Sequence, residues 1–142
     1  MNQRGFTLME IMIVVAIIAL IAGVVGVNIA GNLQEASITM ARNQIETGFR
    51  TALQDYHRNC NFSYPTTEQG LQALIEKPSV GKDCPRYRPG GYLGGDSVPL
   101  DPWGIPYIYE SNGINYKICS LGRDGLVGGS GPDEDICVES KN

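Results

Sequence analysis

Residues 4–34 read RGFTLMEIMIVVAIIALIAGVVGVNIAGNLQ, and no charged side chain falls between Glu10 and Glu35. The uncharged window, residues 11–34, covers 24 positions, against the roughly 20 apolar residues that a helix needs to cross a bilayer. A membrane-spanning helix is therefore expected here. The apolar run is longer than the roughly 7 to 15 residues of a secretory h-region, and no A-x-A-like site ends it, so an ordinary removed signal peptide is not expected. Arg4 is the one basic side chain ahead of it, which places the short N-terminal tail in the cytoplasm and everything after the span outside.

Two features inside this stretch point beyond a simple anchor. Ala16, Ala19, Gly23, Gly26 and Ala30 recur at three- and four-residue intervals, leaving one face small enough for a second helix to approach closely. Glu10 stands at the start of the apolar run, where an ionised carboxylate in hydrocarbon costs about 2.5–3.5 kcal/mol unless something pairs with it. An anchor has no use for that carboxylate. A helix packed beside copies of itself does, because a neighbour's terminal amine can neutralise it.

Working outward, the chain of 142 residues is long enough for one modest domain. Eleven Lys and Arg against 15 Asp and Glu give a net charge of −4, and the basic stripe that a nucleic-acid surface requires is absent. After the apolar run, Ile38, Ala41, Ile45, Phe49, Ala52 and Tyr56 follow helical spacing, so the helix is expected to continue from Phe6 to about Arg58 with one apolar stripe. Arg42, Glu46, Arg50 and Asp55 fall on its solvated remainder. Residues 67–76, TEQGLQALIE, read as a short helix capped by Thr67 and ending before Pro78. Six prolines and six glycines between 78 and 106 mark turns and irregular backbone. Residues 105–110 and 114–119, separated by Ser-Asn-Gly, read as a β-hairpin.

The segment RGFTLMEIMIVVAII, with Gly5 before Phe6 and Glu10 four residues later, resembles the N-terminal signature of type IV pilins and type II secretion pseudopilins. The resemblance implies that a prepilin peptidase cuts between Gly5 and Phe6, removes residues 1–5 as a leader, and methylates the new amine of Phe6. Glu10 is then the carboxylate that pairs with this amine during assembly. YPTTEQGLQALIEKP at 64–78, GGYL at 90–93, DPWG at 101–104 and SLGRDG at 120–125 are similar to the major (G-type) pseudopilin family, and extend the resemblance over nearly the whole chain. The family often carries a proline about where Val27 stands; here none precedes Pro65.

The implied architecture is α+β and pilin-like. Residues 6–34 form a transmembrane or filament-core helix, and 35–142 form a periplasmic head with a small antiparallel sheet, into which the amphipathic half of the helix packs. The implied setting is a single pass through the bacterial inner membrane. Assembly gives a helical homopolymer that drives export of folded proteins through the outer membrane, with minor pseudopilins, an inner-membrane platform and a cytoplasmic ATPase as partners. A type IV pilus subunit for adhesion, motility or DNA uptake is the alternative. A membrane-tethered calcium module that is never cut is a third reading.

All four cysteines follow the span, in the compartment where an oxidising environment permits disulfides. Three pairings are possible; Cys60 with Cys84 and Cys119 with Cys137 is favoured, closing loops of about 25 and 19 residues and stabilising by about 3 kcal/mol each. A zinc site is disfavoured by the lack of any C-x-x-C pair. The last loop, SLGRDGLVGGSGPDEDI at 120–136, is rich in glycine and gathers Asp124, Asp133, Glu134 and Asp135. Such crowding suits Ca2+, which accepts six to eight carboxylate, carbonyl and water oxygens in flexible geometry. The family resemblance implies a calcium site at the matching positions: the Leu121 carbonyl, Asp124, Asp133 and Asp135, with Ser130 contributing and Glu134 able to replace either acidic neighbour. The ion would fold the loop for docking between subunits. No nucleophile–base pair, histidine pair or P-loop is present, and His57, the single histidine, reads as a surface or capping residue. A structural, non-enzymatic role is expected.

Overall fold

The structure, a computed structural model, describes residues 7–140, without the side chains of residues 25–32 and 132. The leader, Gly5 and Phe6 lie outside the described residues, as does the side chain of Ala30. The chain divides into two compact units, Met1–Ala36 and Ser37–Asn142.

Helix α1 runs over Leu8–Asn43. Thr7 starts it: its hydroxyl accepts the Glu10 N–H at 3.2 Å, and its carbonyl accepts from Glu10 and Ile11. Thr7 to Glu10 thus has the spacing of a capping box, with an acidic side chain in the first turn where the helix dipole favours it. Among the described residues of the first unit the large apolar side chains stand in the open; Leu20, for example, is 74% exposed. Among the described residues no helix is long and apolar enough to cross a membrane. The apolar side chains that the structure describes run without a break only from Ile11 to Val24.

In the second unit the expected continuous helix is divided. A π-helical turn, Gln44–Phe49, follows α1, and helix α2 covers Arg50–Asn59. The Arg50 N–H donates to the Ile45 carbonyl five residues back. Packing accounts for the wider turn: Ala41, Ile45 and Phe49 are spaced by four and four, and all three are buried, which an α-helical repeat of about 3.6 would progressively turn away from the head. Ala52, Leu53 and Tyr56 continue the buried stripe along α2. Truncating a core ring such as Phe49 to alanine costs about 3–5 kcal/mol.

That stripe belongs to a core completed by the sheet. Strands β1 (Ile108–Ser111), β2 (Tyr116–Ser120) and β3 (Ile136–Glu139) form an antiparallel sheet in the order β1-β2-β3. Tyr109 on β1, Tyr116 and Ile118 on β2, and Ile136 on β3 are buried with the helical residues. Phe49 meets the ring of Tyr107 edge-on at 4.9 Å. On the other face Lys117 stands in register with both Glu110 and Glu139. The β1–β2 turn is held by Asn112, whose Oδ1 accepts from Ile114 and Asn115 N–H groups at 2.9 and 2.8 Å.

Three local expectations change. The helix expected over 67–76 is reduced to a 3-10 turn at Leu71–Leu74. Thr67 does not cap it: its hydroxyl and N–H both bond to Ser111 at the end of β1, Thr66 bridges Asn112, and Gly70 leaves the helical region at φ +62. The first strand starts at Ile108 rather than 105, because Pro106 has no N–H to give to a ladder. The second starts at Tyr116, since Ile114 and Asn115 are spent on the turn.

Two disulfides fasten the head. Cys60 joins Cys84, and Cys119 joins Cys137, the pairing favoured from sequence. Around the first, Tyr56, Tyr87 and Tyr92 pack edge-to-face, with ring centres 5.2 to 6.4 Å apart. Gly91 lets this segment lie against the 3-10 turn: Tyr92 and Leu93 N–H groups donate to the Leu74 carbonyl, and a Cβ on Gly91 would stand 2.5 Å from the Ile75 carbonyl oxygen.

Candidate functional site: the acidic loop and its supports

The loop between β2 and β3 carries the acidic residues, and its first turn is positioned from beneath. Asp101, 5% exposed, accepts the Trp103 and Ile105 N–H groups on Oδ1 at 3.1 and 2.8 Å and the Ser120 hydroxyl on Oδ2 at 2.7 Å. Ser120 Oγ in turn accepts the Gly122 N–H at 3.3 Å. One carboxylate therefore closes the turn at 101–105 and also sets the point where the acidic loop leaves the sheet. The sequence reading missed both residues as site supports. The Asp-Pro pair at 101–102 was a local turn signal, but nothing local announces the bond to Ser120.

Within the loop, Asp124 Oδ1 accepts the Leu126 N–H at 3.0 Å, and Asp135 Oδ2 accepts the Gly128 N–H at 3.0 Å. The second oxygen of Asp135 is buried and has no hydrogen-bond partner among the described residues. Asp133 is committed elsewhere: the Arg123 guanidinium donates to both its oxygens, at 2.9 and 3.1 Å. Ser130 is exposed and Leu121 half-buried, while Leu121 and Asp135 line one cavity of about 170 Å3. Gly129, at φ +91, is required where it stands, since a Cβ there would lie 2.2 Å from the Asp133 carbonyl oxygen.

These residues fit a hard cation through one specific feature, the unpaired buried oxygen of Asp135, which costs free energy to leave unsatisfied. Asp124 is available on its solvent side. Asp133 would have to exchange its arginine to join. Among the described residues no three His, Cys, Asp or Glu side chains form a ready metal cluster, so backbone oxygens would have to complete any shell. His57 takes no part: its ring lies 4.5 Å from that of Tyr64 and 5.6 Å from that of Phe62, and it acts as a packing wedge beside the end of α2.

The family model described as "Type II secretion system (T2SS), protein G" matches residues 28–139, which include α2, the sheet and the acidic loop. The chain belongs to the type II secretion system protein G family. A second model, the prokaryotic N-terminal methylation motif, matches residues 1–26, so the two together take in the capped helix start and the head. Type II secretion system core protein G of Pseudomonas aeruginosa is 40% identical over 95% of this chain and 94% of its own. That of Vibrio cholerae is 41% identical over 95% and 90%. Among solved structures, the major pseudopilin from the type 2 secretion system of enterohaemorrhagic Escherichia coli superposes with a TM-score of 0.63 at 34% identity, over 78% of this chain and 92% of that one. The protein G fold is thus the pilin-like α+β fold expected from sequence. Protein G is a pseudopilin family, a structural class rather than an enzyme class, and its methylation motif implies processing by a prepilin peptidase and assembly into a pseudopilus.

Proposed function

We propose that this chain is the major structural subunit of a type II secretion pseudopilus, a periplasmic filament whose growth moves folded proteins through the outer membrane. The observation that carries the reading is that one chain joins the N-terminal methylation motif at 1–26 to a protein G head at 28–139, because filament assembly needs both. Before assembly the subunit waits in the inner membrane as a single-pass protein with its head in the periplasm. Peptidase cleavage after Gly5 gives Phe6 a methylated amine, and Glu10 of the adjoining subunit neutralises it. The uncovered side chains from Leu8 to Val24 support this, since an apolar surface of that extent calls for lipid or neighbouring helices. Minor pseudopilins, an inner-membrane platform and a cytoplasmic ATPase complete the machine; the chain itself performs no catalysis.

The acidic loop holds Ca2+ through the Leu121 carbonyl, Asp124 and Asp135, with Ser130 and, after release from Arg123, Asp133 as further donors. When bound, the ion supplies positive charge among crowded carboxylates and so fixes the loop that meets the next subunit.

The test is quantitative proteomics of the culture medium from cells lacking the gene, complemented with wild type or with Glu10→Ala. Specific proteins are expected to leave the medium and accumulate in the periplasm, and Glu10→Ala is expected not to restore them. Unchanged export together with loss of surface fibres, twitching or DNA uptake would instead identify a type IV pilus subunit.

A further inference from the structure

We infer that the Cys119–Cys137 bond preorganises the calcium loop, so that the affinity of this chain for Ca2+ is coupled to the oxidation state of that one pair. The inference rests on the calcium reading above and adds a control to it. Cys119 and Cys137 face each other in register on β2 and β3, with Cα atoms 4.1 Å apart. One rung further on, Ser120 pairs with Ile136, the last pair of the ladder. The candidate ligands begin at Leu121 and end at Asp135, immediately beyond that rung. The covalent bond therefore closes the neck of the loop, and every donor named for the ion lies inside the ring it makes.

Contact reinforces topology. Cys119, Cys137, Leu121 and Asp135 line the same cavity of about 170 Å3, together with Ile108, Val127 and the charged pair Glu110 and Lys117. Asp135 is the donor most dependent on this neck, because it directly precedes β3, and β3 is a four-residue strand at the sheet edge, bonded only to β2. Local opening is easiest where an element lies near a chain end and has few bonded neighbours. With the bond cut, opening of β3 carries Asp135 away from Leu121, and the ion must then supply the ordering that the covalent link had already provided.

The two disulfides differ in a way that makes the coupling measurable. Cys60 and Cys84 are 2% and 0% exposed, and neither lies in the acidic loop. Cys137 is exposed. A dithiol such as dithiothreitol breaks the S–S bond by attack on the accessible sulfur; two electrons and two protons pass to the protein to give two thiols, and the reductant ends as its cyclic disulfide. Linkage is reciprocal: whatever factor the bond adds to calcium affinity, bound calcium adds to the equilibrium stability of the bond.

The experiment uses the full chain in detergent micelles. Calcium titration by calorimetry is run on wild type and on a Cys119→Ser, Cys137→Ser double variant whose head is shown to be folded by near-ultraviolet circular dichroism. Affinity is expected to fall about tenfold or more in the variant. In parallel, wild type is equilibrated with mixtures of reduced and oxidised dithiothreitol with and without saturating CaCl2, and each disulfide is quantified by peptide mass. Calcium is expected to raise the reductant ratio needed to open Cys119–Cys137 by the same factor and to leave Cys60–Cys84 unmoved. If wild type binds Ca2+ but the folded variant binds it equally well and the redox midpoint does not move, the inference is overturned and the calcium reading stands. If wild type binds no Ca2+, the calcium reading itself fails and the inference falls with it. Should the double variant not fold, the wild-type equilibrium decides alone, a calcium-dependent midpoint supporting the coupling and a calcium-independent one removing it.

Discussion

Asp101 does the most with a single side chain. Its two oxygens satisfy two backbone N–H groups and one buried hydroxyl, and leaving buried donors without partners costs about 1–3 kcal/mol each. Asp101→Ala is expected to destabilise the head by about 3 kcal/mol, read as a shift in urea midpoint followed by Trp103 fluorescence. A loss under about 0.5 kcal/mol, ordinary for a surface change, would remove Asp101 from its supporting role. The tyrosines make a second prediction at this scale. Burial, with smaller contributions from Tyr92 and Tyr56, pushes the Tyr87 phenol from 10 up to about 12, and burial moves Tyr107 and Tyr109 further in the same direction. The folded chain thus keeps protons that the unfolded chain releases near pH 10, so stability is full below pH 10 and falls as pH rises from 10 to 12. The rise in tyrosinate absorbance should therefore coincide with loss of the near-ultraviolet dichroism; complete ionisation near pH 10 in a still-folded head would contradict it.

Among the elements, the acidic loop depends on a backbone that only glycine supplies at one point. Gly129→Ala sets a methyl against the Asp133 carbonyl at a positive φ, a strain of about 1–3 kcal/mol, and calcium affinity is expected to drop about tenfold with far-ultraviolet dichroism unchanged. An unaltered affinity would place the ion away from the 128–133 turn. The elements also differ in how far the sequence foretold them. The apolar stripe from Ala41 to Tyr56 and the Ser-Asn-Gly hairpin were legible because each is a local pattern, helical period in one case and turn chemistry in the other. Strand β3 was not, since ICVE at 136–139 is short, follows an acidic run, and owes its extended form to its neighbour β2 and to Cys137. The helix expected at 67–76 failed for the same reason in reverse: Thr67 had the right local chemistry for a cap, and a partner distant in sequence, Ser111 at the end of β1, took it. At the candidate site the acidic residues and cysteines could be read directly. The tie from Asp101 to Ser120 and the capture of Asp133 by Arg123 could not, because both join segments that only the fold brings together.

At the scale of the whole molecule, the protein G assignment unites a helix start capped by Thr7, a helix stripe that enters the core through a π-helical turn, and a head of short strands and turns. Little of that head is regular enough to hold itself by ladder hydrogen bonds alone, and its two covalent rings stand in for a larger core. The rings have a mechanical side as well. A subunit in a growing filament bears load along its chain, and when a folded chain is stretched its yield is set by how much backbone can run out. The disulfides withhold segments with sequence separations of 24 and 18 residues, roughly 140 Å of contour at about 3.4 Å per residue. In an optical trap the oxidised head should lengthen by that much less on unfolding than the fully reduced head, and equal extensions would mean that the bonds are not both formed. Such a subunit, once forced open, has little slack to give: the filament that contains it resists stretching with a short tether rather than a long one.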